Sequence, residues 1–136
     1  MAYQNNLGCL TFPANADLSS HQFKVVELLT TGKVDLADLG KGFGVLQNIP
    51  AADGEAATVA VEGQSKVIAG GTLTVADHVR VLSGGWCVKA NSGDLSGVMI
   101  MGQVLVGAAS GAIGTIHLRP QAAPNVISGS LVQALP

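Results

Sequence analysis

Three histidines and two cysteines hold most of the reactive chemistry this chain could have. His21, His78 and His117 are scattered, with no HxxxH or HExxH pair, so a metal centre would have to be assembled from distant segments. Cys9 and Cys87 lack CxxC spacing, and Cys87 sits among bulky neighbours in Gly85-Trp86-Cys87-Val88-Lys89, where burial makes a thiol inert. Asp77-His78 has the composition of an acid–base dyad, but sequence neighbours on a strand point to opposite faces. Gly40-Lys41-Gly42-Phe43-Gly44 lacks phosphate-loop spacing, and no helix follows it to aim amides at an anion. Met99-Ile100-Met101 puts isoleucine where a biotinyl or lipoyl carrier needs its lysine. The expectation is a protein with no catalytic residue, no metal and no cofactor.

The elements that would position these side chains read as strands. Glycine-bearing turns (Thr31-Gly32, Asp53-Gly54, Gly70-Gly71, Gly84-Gly85, Ser92-Gly93, Ser110-Gly111) separate short runs of Val, Ile, Leu and Thr, the rhythm of a sandwich or barrel. Strands are expected near 9–12, 23–30, 33–37, 43–48, 57–62, 65–69, 78–82, 86–90, 98–106 and 113–119. In His78-Val79-Arg80-Val81-Leu82 the two valines alternate inward. Val98-Met99-Ile100-Met101 is apolar on both faces, as in a central strand or one covered by another subunit. At most one short helix is expected, near 17–22, where Asp17 can cap a first turn. A chain of 136 residues is one domain by length and buries about two-thirds of its unfolded surface. The fold class expected is mainly β, a single compact barrel-like domain.

Composition excludes several partners. Seven basic against nine acidic residues, with no basic run, leave nothing to bind nucleic acid. The N-terminus MAYQNNLGCLTF has no basic region followed by an apolar one, so it does not read as a signal peptide. Leu95 to Leu118 lacks charged residues and is long enough to span a bilayer. Its glycines and central turn instead suit two strands and a hairpin loop, so no membrane is expected. The two cysteines read as free thiols in a reducing cytoplasm.

One stretch comes back. Residues 51–61, AADGEAATVAV, align without gaps on residues 108–118, AASGAIGTIHL. Both put AAxG in a loop and threonine in the returning strand. The match is short and rich in alanine and glycine, and convergence on a good hairpin loop explains it nearly as well as duplication.

The order of features along the chain is more distinctive. Leu10-Thr11-Phe12, Ala16-Asp17-Leu18-Ser19, Gln22-Phe23 and Gly32-Lys33-Val34 lead to Gly44-Val45-Leu46-Gln47-Asn48, Pro50 and Gly54-Glu55-Ala56-Ala57-Thr58-Val59. Gly63, Lys66-Val67, Ala69-Gly70-Gly71 and Asp77 follow, and the series closes on Leu118-Arg119-Pro120. Over residues 7 to 120 this resembles the small capsid decoration, or cement, proteins of tailed bacteriophages. Ala76 departs from the glycine these proteins often place before the aspartate.

The resemblance implies a barrel-like or tulip-like β domain at 8–120, an N-terminal arm at 1–7 and a C-terminal tail at 121–136. It implies a virion protein on the outer capsid surface, binding the phage major capsid protein as a homo-oligomer, a trimer on the shell, with no catalysis. The arm, Ala2, Tyr3, Gln4, Asn5, Asn6 and Leu7, is polar and aperiodic and is expected to add to a capsid strand edge. Trp86, Met99 and Met101 are candidates for a subunit interface. The competing expectation is a β-barrel module binding a glycan or small ligand, with Trp86 stacked on a sugar.

Overall fold

The computed structural model describes residues 8–39, 41–91 and 98–122, a compact single domain that is all β, with no helix among them. Nine strands follow one another: β1 (Gly8–Pro13), β2 (Val25–Leu28), β3 (Val34–Leu36), β4 (Gly44–Leu46), β5 (Ala56–Ile68), β6 (His78–Leu82), β7 (Trp86–Lys89), β8 (Met99–Val106) and β9 (Ile113–Ala122). They join one curled antiparallel sheet in the order β3-β2-β4-β5-β9-β8-β6-β7, with β1 added beside β5.

The helix allowed near 17–22 is not formed, and one expectation about the strands changes. The Asp17 carboxylate does accept the Ser19 amide at 2.9 Å, but Phe23 turns left-handed at φ 68. The Leu18 amide is taken instead by the Pro50 carbonyl at 2.9 Å. The strands expected at 57–62 and 65–69 are one strand of 13 residues. Gly63 is a kink within it (φ 106), and there β5 changes partners on one edge, from β1 to β9.

That change of partner divides the sheet into two units built alike. In the N-terminal unit, β3-β2-β4 leads to the first half of β5 and then β1. In the C-terminal unit, β7-β6-β8 leads to β9 and then the second half of β5. The registers agree: Val26↔Leu36 and Leu28↔Val34 correspond to Val79↔Lys89 and Val81↔Cys87. Val45↔Ala60 corresponds to Gln103↔His117, and Cys9↔Ala60 to Gln64↔His117.

The turns agree as well. Gly54 (φ 90) donates to Ala14, and Gly111 (φ 86) to Ala69, each at 2.8 Å. Phe23 and Ala76, both at positive φ, precede β2 and β6, and donate to Leu46 and Val104 at 2.7 and 2.9 Å. A side chain at Gly44 would strike the Ala60 carbonyl, and one at Gly102 the His117 carbonyl. Such close backbone approaches admit only glycine. The repeated stretch in the sequence is therefore one part of a duplication that runs from β1 through β9.

The cores differ. Leu18, Val26, Val34, Leu46 and Val59 fill the N-terminal unit, with Phe12 edge-on to Phe43 at 5.3 Å. The C-terminal core, which contains Val79, Val81, Met101, Val104 and Ile116, also takes in Val25, Ala37, Val45 and Ala60 from the other unit. The N-terminal sheet is thus covered on both faces, at roughly 1.5–3 kcal/mol for each buried valine. The seam is tied by the β6–β7 turn: the Gly85 carbonyl accepts the Val25 amide at 2.9 Å, and the Gly84 and Gly85 amides reach the Ala37 carbonyl at 3.0 and 3.2 Å.

Candidate functional site

At the positions where the N-terminal unit buries Val25, Val45 and Ala60, the C-terminal unit carries His78, Gln103 and His117. The three stand side by side across β6, β8 and β9, and all are exposed. Arg119 and Gln121 extend the row along β9. The ladder shifts register near Val79 and again near Ile100, and such bulges bend a strand away from its partner. A shallow cavity of about 90 Å³ opens there, lined by His78, Ile100, Gln103, His117, Arg119 and Gln121. It can hold a protruding side chain or a few waters, far less than the 300 Å³ and more of a metabolite site.

From Gly63 onward basic residues outnumber acidic ones, the reverse of the first half. Residues 8–62 contain Asp17, Glu27, Asp35, Asp38, Asp53, Glu55 and Glu62 against Lys24, Lys33 and Lys41. From residue 63 onward the bases are Lys66, Arg80, Lys89 and Arg119, and Asp77 is the acid among the described residues. The Asp77 carboxylate caps a turn through the Thr74 amide at 3.1 Å, with Lys89 3.8 Å away. Beside the face, Gln64 Oε1 and Thr115 Oγ1 are buried without a hydrogen-bond partner. Imidazoles, carboxamides and a guanidinium make this a donor-rich surface suited to carboxylates and carbonyl oxygens. Among the described residues no three His, Cys, Asp or Glu side chains group as metal ligands.

The residues singled out in the sequence fall elsewhere. The arm Ala2–Leu7 lies outside the described residues, as does the tail beyond Ala122. Met101 is fully enclosed in the C-terminal core, and Met99 packs half-buried against it. Trp86 is half-buried at the start of β7, with the Lys24 ammonium 4.1 Å from its ring centre. A cation already occupies the ring that a sugar would need. Cys9 and Cys87 are both free thiols. Cys87 is fully buried, and loss of hydration pushes its pKa up to about 12; burial also raises that of Cys9. The cationic face itself is not visible as a motif. The signal available was that His78 and His117 take polar positions on strands whose other face is apolar.

No protein-family model and no curated protein matches the chain. Among solved structures, the fold is similar to the head fiber gp8.5 N base of bacteriophage phi29. The TM-score is 0.63 at 15% sequence identity, covering 82% of this chain and 93% of that one.

Proposed function

We propose that this chain is a virion structural protein that binds the outer surface of an expanded phage capsid and bridges neighbouring major capsid subunits, as a trimer. It acts by binding, without catalysis, cofactor, nucleic acid or membrane, and is made in the host cytoplasm before it joins the particle. The observation that carries this reading is the fold, which spans nearly all of a phage head-fibre base and most of this chain. The cationic face, too shallow for a metabolite and rich in donors, offers a contact for acidic or carbonyl-bearing surface on a shell. The arm Ala2–Leu7 supplies a second tether as an added strand.

A ligand that binds only the expanded lattice stabilises it by about 2.7 kcal/mol per site at a hundredfold excess over Kd. Heads carrying the protein should therefore release their contents at a higher temperature than stripped heads of the same geometry. Co-sedimentation with undecorated heads tests the binding directly. Failure to sediment with them, or equal thermal release with and without the protein, overturns the proposal.

A further inference from the structure

Inside the chain, the β6–β7 turn Ser83–Gly85 docks on the start of β2, through the Val25 amide and the Ala37 carbonyl. The β2–β3 turn Thr30–Gly32 is its counterpart. Gly32 (φ 85) donates to Leu29 at 2.9 Å, as Gly85 (φ 82) donates to Leu82 at 3.1 Å. Its surroundings are different. A Cβ on Gly85 would meet the Val25 carbonyl, whereas nothing lies within 4 Å of one on Gly32. Thr30, Thr31 and Gly32 are all exposed. The counterpart of the landing site is exposed too: His78 stands where Val25 is buried, and Ala90 where Ala37 is buried is only half-covered.

Each chain thus has one turn and one base joined internally, and a second turn and base left open. We infer that the open turn of one copy docks on the open base of another, repeating between chains the contact that joins the units within one.

The residues at the two seams support this. At the internal seam Lys24 lies against Trp86. The corresponding residues at the open seam are Asp77 on the base and Lys33 at the turn, which carry opposite charges. The contact would also bring the acid-rich N-terminal unit onto the cationic face of the next chain. Lys33 now pairs with Asp53 at 2.7 Å, and Asp77 lies 3.8 Å from Lys89. The Lys33–Asp53 pair is exposed and worth little, so giving it up costs little. Asp77 keeps the Thr74 amide through Oδ2 and would turn only Oδ1, now facing Lys89, to the new partner. Turn and base are different surfaces, so the contact is heterologous and closes into a ring or runs on as a filament. A ring of three would supply the trimer proposed above, but the contact needs no capsid.

The test uses the full chain in sedimentation equilibrium, from micromolar to millimolar protein at low and high salt. Mass should rise with concentration and fall with salt. Thr31→Trp obstructs the turn and His78→Trp the base, both at exposed positions, and each variant alone should be monomeric with an unchanged melting temperature. Mixed, they should form a one-to-one heterodimer and nothing larger, because each retains the surface the other lacks. A monomeric wild type throughout, a Thr31→Trp protein that assembles like wild type, or a mixture that stays monomeric overturns the inference. Sedimentation of the wild type on undecorated heads separates the two proposals, since head binding by a protein that stays monomeric throughout leaves only the first, and self-association without head binding leaves only the second.

Discussion

The N-terminal and C-terminal units share a register and a set of turns, yet one is wrapped on both faces and the other is bare on one. The difference sits in a few side chains. Val25, Val45 and Ala60 make the first sheet's second face a packing surface, and His78, Gln103 and His117 make the same face of the second sheet a polar one. A duplicated sheet that stayed apolar on that face would leave a patch prone to aggregation. Polar residues keep the fold soluble there and leave donors for a partner. The lesson is that duplication can preserve backbone geometry while face chemistry diverges, so function is found by asking where two equivalent surfaces differ.

The sharpest way to break this comparison is to place a charge at one pair of equivalent positions. Ala60→Asp buries an unpaired carboxylate and should cost about 3–5 kcal/mol or prevent folding. His117→Asp should change stability by about 0.5 kcal/mol or less in urea titrations. Equal losses would mean the second face is not open. Leu18 and Leu73, buried at matching places beneath the two repeated loops, test the likeness instead: each Leu→Ala change should cost about 2–5 kcal/mol, by similar amounts.

The two turn glycines come next. Gly32→Ala should lose about 1–2 kcal/mol from left-handed strain alone. Gly85→Ala adds a collision with the Val25 carbonyl and should lose about twice that, read as separate shifts in melting temperature. Alkylation of the native protein should label Cys9 and spare Cys87 until the chain unfolds. The buried Cys87 thiol keeps its proton up to about pH 12, whereas the unfolded one releases it near 9.0. The unfolded state therefore binds fewer protons in that window, and stability should fall as pH rises from about 9 towards 12. The smallest effect belongs to Lys33→Ala, about 1 kcal/mol or less through the exposed pair with Asp53, and less still at high salt.

Most of the fold is legible in the sequence because period-two alternation and glycine turns report local geometry. Strands expected at 78–82, 86–90 and 98–106 lie within a residue of those observed. Gly63 misled because a glycine that breaks a run looks the same whether the chain turns or kinks. The helical turn allowed near 17–22 is absent for a different reason. Asp17 is legible as an amide acceptor, but the Pro50 carbonyl that takes the Leu18 amide comes from a distant segment.

The duplication leaves one gapless segment legible in the sequence, too short to tell from convergence, and no continuous match elsewhere. Identity survives mainly where geometry forbids change, at Gly44 and Gly102, Ala14 and Ala69, Leu18 and Leu73, and the loops between these pairs differ in length. The cationic face escaped for want of that alignment. Two histidines acquire meaning only when set beside the valine and alanine they replace.

The kink at Gly63 also fixes where the two ladders on one edge of β5 meet. Gly8, at the start of β1, lies opposite Glu62, and Leu118 of β9 lies opposite Gly63. The two ladders therefore meet at the midpoint of β5 and extend from it in opposite directions. Tension applied at Gly8 would open the β1 ladder one hydrogen bond at a time, as a zipper, with no need to shear it as a block. Leu118 resists the same pull, because Gly102 of β8 holds it on its other edge.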